Sequence, residues 1–161
     1  MPGASPTRPA MPASRTAVAL AALFLVSCAP EKSQPPEISI SETWSRATVA
    51  GQSTAAVYLT IANKGGGDDK LLNASTPIGQ ATLHSSTMDG GVMRMRSLEG
   101  LDIPAQSTVQ LKPGGTHIMV AGVKQPLIGG SSFPLALHFD RSGDRRINVD
   151  VRPASTAGES M

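Results

Sequence analysis

Alternating apolar and polar residues recur along residues 38–152 and predict short β-strands. The clearest example is the segment 55–63, where Val57, Leu59 and Ile61 share one face because successive strand side chains point to opposite sides. Comparable apolar segments lie at residues 38–40, 71–72, 81–84, 92–98, 108–111, 117–122, 133–139 and 146–151. No stretch sustains the 3.6-residue period of a helix.

The spacing of these segments predicts an all-β domain. Strand signals recur about every 8–12 residues with glycine and proline at the turns, which is typical of a β-sandwich or barrel. The chain contains 16 glycines and 13 prolines among 161 residues, in agreement with many turns. A chain of this length accommodates one ordinary domain.

The N-terminal segment predicts an exported protein. Arg8 and Arg15 precede an apolar run at residues 17–26. Ten helical residues would span only about 15 Å, half of the hydrocarbon core of a bilayer. The run is therefore typical of a signal peptide and not of a membrane span.

The apolar run ends in the sequence LVSC at residues 25–28, which resembles the lipobox of bacterial lipoproteins. The resemblance implies that Cys28 is acylated, becomes the first residue after cleavage and anchors the protein to a membrane. Because Ala29 and not an aspartate follows the cysteine, the resemblance also implies the outer membrane, with the domain facing the periplasm. The alternative is a plain secretory signal, but Cys28 is the only cysteine and sits where the lipobox requires it.

The chain is thus predicted to have four parts. They are a signal peptide at residues 1–27, a proline-rich tether at 28–37, a folded domain at 38–152 and a disordered polar tail at 153–161. With the only cysteine at the anchor, the domain has neither a disulfide nor a thiolate.

The charge balance excludes one class of function. The chain has 14 Lys and Arg against 12 Asp and Glu, and two of the basic residues, Arg8 and Arg15, precede Cys28. The remainder therefore has 12 basic and 12 acidic residues. A neutral domain without a basic cluster lacks the electrostatic footprint of a nucleic-acid-binding protein, and we expect no nucleic-acid partner.

Imidazole and thioether side chains are the candidate ligands. His117 and Met119 are two residues apart in a predicted strand and share a face, as do Met93 and Met95, whose strand has arginines on its other face. This donor combination favours copper, because thioethers suit Cu(I) and not Mg²⁺ or Ca²⁺. We expect the His117–Met119 pair to be accessible, since it follows a Pro-Gly-Gly turn. The alternative is core packing, which methionine often serves.

The donor spacing resembles the motif of the PCuAC-type periplasmic copper chaperones. That motif is a histidine, ten residues, a methionine, twenty-one residues, a histidine, one residue and a methionine. His84, Met95, His117 and Met119 occupy these positions. Similarity to the family extends over residues 38–151 and includes the segments WSRAT and GVKQPL.

The resemblance implies a cupredoxin-like Greek-key β-sandwich or barrel that binds one Cu(I) through these four side chains. It also implies delivery of copper to an acceptor, either the CuA centre of cytochrome c oxidase or an assembly factor. Ser85 stands where some members have a methionine, so a possible fifth donor is absent. Met88 and Met93 are interpreted as flanking the site or as core residues, with Met93 the nearer to the metal, and His138 as structural.

Other functions are also considered. The chain could buffer copper without a dedicated acceptor, or it could be a metal-free interaction module of the envelope. An enzyme is disfavoured because the histidines have no accompanying motif such as Gly-x-Ser-x-Gly. A blue-copper electron carrier is excluded, because such sites use a cysteine thiolate and the only cysteine is Cys28.

Overall fold

The computed structural model describes Gly3 and residues 34–153, and the regular structure in these residues is β-strand. The ten strands are β1 (Ile38–Arg46), β2 (Thr54–Asn63), β3 (Asp69–Ser75), β4 (Gln80–Asp89), β5 (Val92–Ser97), β6 (Leu101–Ile103), β7 (Ser107–Leu111), β8 (Thr116–Ala121), β9 (Ser132–Phe139) and β10 (Gly143–Arg152). Within the described part of the chain, no helix is long and apolar enough to cross a bilayer. The all-β prediction is confirmed. The predicted signal peptide apart from Gly3, the start of the predicted tether with Cys28, and most of the predicted tail lie outside the described residues.

The strands form one mixed sheet. Its order is β5-β4-β8-β2-β1-β10-β9-β3-β6, and β7 pairs with β2 beside this path. The parallel pair is β1 with β10, and the other pairs are antiparallel. The first and last strands are neighbours, so both ends of the domain lie in the middle of the sheet.

The hydrophobic core forms around β2. The first half of this strand pairs with β8 and the second half with β7. Val57, Leu59 and Ile61 are buried, as their alternation predicts. Burial of a side chain of this size contributes about 1.5–3 kcal/mol. The other core side chains include Leu71, Leu83, Ile103, Leu111, Ile118, Val120, Phe133, Leu135, Leu137, Phe139, Val149 and Val151.

Two strands differ from the sequence pattern. β4 continues to Asp89, well past the apolar segment at residues 81–84, because backbone pairing with β5 holds its second half. The side chains there are mostly polar, so the apolar pattern did not predict this extension. β6 was not predicted. It has three residues and pairs with β3, and a segment so short cannot display an alternating pattern.

The turn between β2 and β3 contacts the end of the segment predicted as a tether. Gly65 and Gly67 lie so close to the backbone of residues 34–37 that a Cβ at either position would clash with it. The buried Asn63 holds this arrangement together. Its side-chain nitrogen donates to the Gly67 carbonyl at 2.8 Å, and its oxygen accepts from the backbone amides of Glu37 and Gly65 at 3.1 and 3.0 Å.

The unit from Glu31 to Met161 contains the described strands and the whole core cluster. The core is drawn from strands at both ends of this unit, including Val57 near its start and Val151 near its end. It therefore has a hydrophobic core of its own, and solution experiments can use this unit without the leader.

Candidate metal site

β4 and β8 bring two of the predicted donors together. His84 and His117 occupy directly opposite positions in this antiparallel pair, with ring centroids 6.1 Å apart and planes inclined by 21°. Their neighbours Leu83 and Ile118 point into the core and are buried. Because side chains alternate along a strand, both imidazoles lie on the outer face of the sheet.

Met119 lies on the same outer face, two residues after His117. Its cross-strand neighbours are Thr82 on β4 and Ala56 on β2. Both neighbours are small, and the Met119 side chain is half-buried between them. Met119 is therefore next to the histidine pair on the same face of the sheet.

Met95 lies on this face as well, one strand further out. It pairs with Ser86, whereas Ser97 pairs with His84. Met95 is therefore a diagonal neighbour of His84. Residues in such diagonal positions are typically about 7–8 Å apart. Its side chain is 51% exposed. Met95 and Met119 thus lie on opposite sides of the histidine pair, and an ion bound by all four donors would lie above that pair.

His117 is buried, so the expectation that the turn before it makes the pair accessible is wrong. Its side chain is 5% exposed, because β8 is an interior strand and the Tyr58 ring lies 6.4 Å away, centroid to centroid. The Gly115 carbonyl lies 3.0 Å from Nδ1 of His117 and can only accept a hydrogen bond. In the neutral ring, the proton therefore lies on Nδ1, and Nε2 has the lone pair that a metal needs.

His84 has two hydroxyl partners. The Thr82 Oγ1 lies 3.3 Å from Nδ1, and the Ser97 Oγ lies 3.2 Å from Nε2. A hydroxyl can donate or accept, so either nitrogen of His84 can carry the proton. Metal binding would replace one hydroxyl while the other continues to orient the ring.

An aromatic row continues from His117 across the sheet. Tyr58 packs on Trp44 with ring centroids 4.6 Å apart, and the Arg152 guanidinium lies 4.7 Å above the Trp44 ring. Burial raises the pKa of Tyr58, against the lowering effect of Arg46, so the phenol is neutral near pH 7. The sequence interpretation did not include Tyr58, although it is the only tyrosine in the chain.

The remaining candidate residues lie outside this group. Met88 and Met93 are 68% and 54% exposed, so the suggestion that they belong to the core is wrong. His138 lies on β9, four strands from β8 in the sheet order. Its Nε2 lies 2.9 Å from the Ser75 Oγ and its Nδ1 lies 2.7 Å from the Asp144 carboxylate. These bonds tie β3, β9 and β10 together, as a structural histidine would.

The candidate site combines soft thioether sulfurs with imidazole nitrogens, which suit copper and other transition metals. Among residues 34–153, no three His, Cys, Asp or Glu side chains form a group that could hold a metal ion. A metal site on this face therefore depends on thioether sulfur together with imidazole nitrogen. Two imidazoles and two thioethers suit a soft monovalent ion such as Cu(I).

The chain is similar to proteins described as lipoproteins. A family model described as "Putative lipoprotein LpqE-like" matches residues 38–151. The "Putative lipoprotein Lxx21020" of Leifsonia xyli subsp. xyli is 32% identical over 155 residues, which cover 90% of this chain and 92% of the relative. The "Uncharacterized protein RP573" of Rickettsia prowazekii is 31% identical over 115 residues, which cover 68% of this chain and 64% of the relative.

The fold is similar to solved structures of PCuAC domains. The copper-bound PCuAC domain from PmoF2 superimposes with a TM-score of 0.62 at 21% identity, over 72% of this chain and 92% of that domain. The solution structure of apo-DR1885 from Deinococcus radiodurans has a TM-score of 0.57 at 26% identity, over 95% of this chain and 94% of the other. The CuI-DR1885 structure has the same TM-score and identity, over 79% and 81%. The predicted cupredoxin-like fold and the predicted similarity to PCuAC domains are confirmed.

Proposed function

The chain belongs to the LpqE-like family, and on that premise we propose that it is a copper chaperone of the bacterial cell envelope. It binds one Cu(I) through His84, Met95, His117 and Met119 and passes the ion to an acceptor protein. Copper is cargo in this scheme, and the protein transfers it without catalysing a reaction.

The opposed pair of His84 and His117 is the observation that carries this proposal. The two imidazoles face each other on neighbouring strands, and Met119 lies beside them on the same face. The hydrogen bond between His117 Nδ1 and the Gly115 carbonyl leaves Nε2 for a metal, whereas a metal at His84 would replace one of its two hydroxyl partners. Two solved structures with this fold contain copper, namely the copper-bound PCuAC domain from PmoF2 and CuI-DR1885.

The four donors differ in exposure, which suggests how copper is exchanged. His117 is buried and fixed by the Gly115 carbonyl, whereas Met95 lies half-exposed on an outer strand. The Met95 side chain has three rotatable bonds and a soft sulfur that can leave the ion and rebind it. Copper therefore enters and leaves on the Met95 side while His117 stays bound. An acceptor that displaces Met95 first can take Cu(I) without its release to water.

The N-terminal segment and the lipoprotein description of the family support a location in the cell envelope. A lipid on Cys28 anchors the protein to a membrane, with the outer membrane favoured, and the tether places the domain in the periplasm. The description of the family and of one relative as lipoproteins supports this proposal. The acceptor is the CuA subunit of cytochrome c oxidase or a factor that assembles it.

A Cu(I) titration of the unit from Glu31 to Met161 tests the site. Under anaerobic conditions and against a competing colorimetric chelator, the unit should bind one Cu(I) tightly. His117→Ala should weaken binding by more than the roughly 10–100-fold that loss of an outer partner of a ligand costs. His138→Ala removes an imidazole elsewhere on the sheet and should leave the affinity unchanged. Equal affinity of wild type and His117→Ala would refute the proposal.

Gene deletion separates delivery from buffering. Loss of oxidase activity at low copper, restored by the wild-type gene but not by a His117→Ala gene, indicates delivery to the oxidase. Copper sensitivity with normal oxidase activity indicates buffering instead. A melting temperature that Cu(I) does not change would favour a metal-free interaction module, because an ion that binds the native state selectively must stabilise it.

A further inference from the structure

The hairpin of β4 and β5 carries a methionine cluster, which consists of Met88, Met93 and Met95. The two-residue turn at Gly90 and Gly91 has φ values of 57° and 82°, as a type I′ turn requires. This turn sets the register of the hairpin, so that Met88 lies directly opposite Met93. Met95 follows two residues after Met93, and all three side chains therefore project from one face.

The methionine cluster lies on the same face as the histidine pair and next to it. Met95 pairs with Ser86, between the Met88–Met93 pair at the hairpin tip and His84 further along β4. The three methionines thus form a row on one face that leads from the tip of the hairpin to His84. Met95 is the donor common to the two groups.

Burial does not explain these three side chains. They are more than half exposed, although methionine gains free energy when its apolar surface is removed from water. The opposite face of the hairpin carries mostly polar side chains beside the exposed Val92, with an ion pair of 3.3 Å between the Arg94 Nε and the Asp89 carboxylate. The two faces therefore differ sharply, and the soft donors are confined to one of them.

We propose that Met88, Met93 and Met95 form a capture site for Cu(I), from which the ion moves to the histidine pair. Side chains directly opposite each other in a hairpin have Cβ atoms about 4.5–5.5 Å apart, and residues two apart on a strand lie about 7 Å apart. Flexible side chains at these spacings can bring three sulfurs to one ion. Neutral thioethers select a soft ion, and the absence of imidazole and carboxylate from this set makes it the weaker site.

The transfer step is a ligand exchange without oxidation or reduction. The Cu–S bonds to Met88 and Met93 break, and Met95 remains bound throughout. New bonds form to the Met119 sulfur and to one nitrogen each of His84 and His117. Copper stays in the +1 state, and no proton is required if each histidine binds through its unprotonated nitrogen. This step rests on the proposed function, whereas binding of a soft ion by the hairpin does not.

Removing the inner site should reveal the capture site. In the His84→Ala/His117→Ala variant of the unit from Glu31 to Met161, titration with Ag(I) should still bind one ion, more weakly than in the wild type. Ag(I) is a soft monovalent ion that does not change its oxidation state here. With ¹³C-methyl-labelled methionine, the NMR signals of the methionine cluster should shift, while that of Met161 serves as the internal control.

Removing the capture site should slow the loading of Cu(I) and leave the equilibrium affinity for Cu(I) unchanged. Met88→Leu/Met93→Leu keeps side-chain volume and should load Cu(I) from a chelator several-fold more slowly, with unchanged final affinity. Val92→Leu alters the other face of the same hairpin and should load at the wild-type rate. Unshifted Met88 and Met93 signals in the histidine variant would overturn the inference, and so would Cu(I) loading of Met88→Leu/Met93→Leu at the wild-type rate.

The two proposals fail differently in these experiments. If the wild type and His84→Ala/His117→Ala bind Ag(I) equally well and both shift the Met88 and Met93 signals, the histidine site is refuted and the capture site stands. If the wild type binds tightly but the histidine variant shows no methionine shift, the capture site is refuted and the histidine site stands.

Discussion

The indole of Trp44 packs on the phenol of Tyr58, with ring centroids 4.6 Å apart and planes inclined by 43°. Trp44 and Tyr58 are direct cross-strand partners on β1 and β2, and Tyr58 in turn contacts His117. Aromatic pairs in such tilted arrangements contribute about 0.5–1.5 kcal/mol beyond their buried area. The only tryptophan of the chain is therefore linked to a candidate metal ligand through a single intervening ring.

Trp44 fluorescence should report metal binding. An ion held by His117 must reorient or fix that ring, which contacts Tyr58 and so alters the environment of Trp44. Addition of Cu(I) should change the emission of the wild type and of His138→Ala by similar amounts. His117→Ala should show no comparable change in a fluorescence titration. A full response in that variant would place the bound ion elsewhere.

His84 and His117 should be coupled in copper binding. If both histidines bind the same ion, either single substitution already removes most of the binding free energy. The sum of the costs of the two single substitutions should therefore exceed the cost of the double substitution. Couplings between contacting residues are typically about 0.5–3 kcal/mol. The measurement is a double-mutant cycle of Cu(I) affinity with His84→Ala and His117→Ala. Additive costs would indicate that the two rings bind copper independently.

Asn63→Ala should destabilise the fold. The substitution leaves the backbone groups of Glu37, Gly65 and Gly67 without the side chain that they bond, and an unsatisfied buried group costs about 1–3 kcal/mol. Urea unfolding of the unit from Glu31 to Met161 measures the effect. Asn73→Ala, at an exposed asparagine on β3, is the control and should change stability by less than about 0.5 kcal/mol. Equal effects of both variants would contradict the role assigned to Asn63.

Stability should fall in acid because of Asp69. Burial acts to raise the pKa of the Asp69 carboxyl, but hydrogen bonds to it, including those from the backbone amides of Lys70, Arg141 and Ser142, outweigh burial and lower that pKa. A carboxyl with a lowered folded-state pKa stabilises the fold above its unfolded pKa of about 3.9. This contribution disappears as the pH falls through the folded-state value.

The measurement is the free energy of unfolding in urea as a function of pH below about 5. Asp69→Asn should be less stable than the wild type near neutral pH and should lose less stability on acidification. The exposed Asp102 forms an ion pair of 3.6 Å with Lys70, and Asp102→Asn should retain the wild-type pH profile. An unchanged slope in Asp69→Asn would show that other carboxyls cause the acid sensitivity.

Much of the strand content could be predicted from local pattern alone. Val57, Leu59 and Ile61 alternate with polar or small residues, and burial of one face makes that alternation visible in the sequence. β6 and the outer half of β4 could not be predicted in this way. β6 is too short to show alternation. The outer half of β4 is held by pairing with β5, and most of its side chains are not buried, so no apolar face marks it in the sequence.

The sequence by itself determined the donor types, their motif spacing and the shared face of His117 and Met119, because side-chain direction along a strand follows a local period of two. Only the tertiary structure decided that His84 lies opposite His117, that the Tyr58 ring lies beside His117 and that Met95 and Met119 lie on opposite sides of the histidine pair. These relationships depend on which strands pair and in which register. Pairing between distant segments is selected by burial of the whole core, and no short stretch of sequence encodes it.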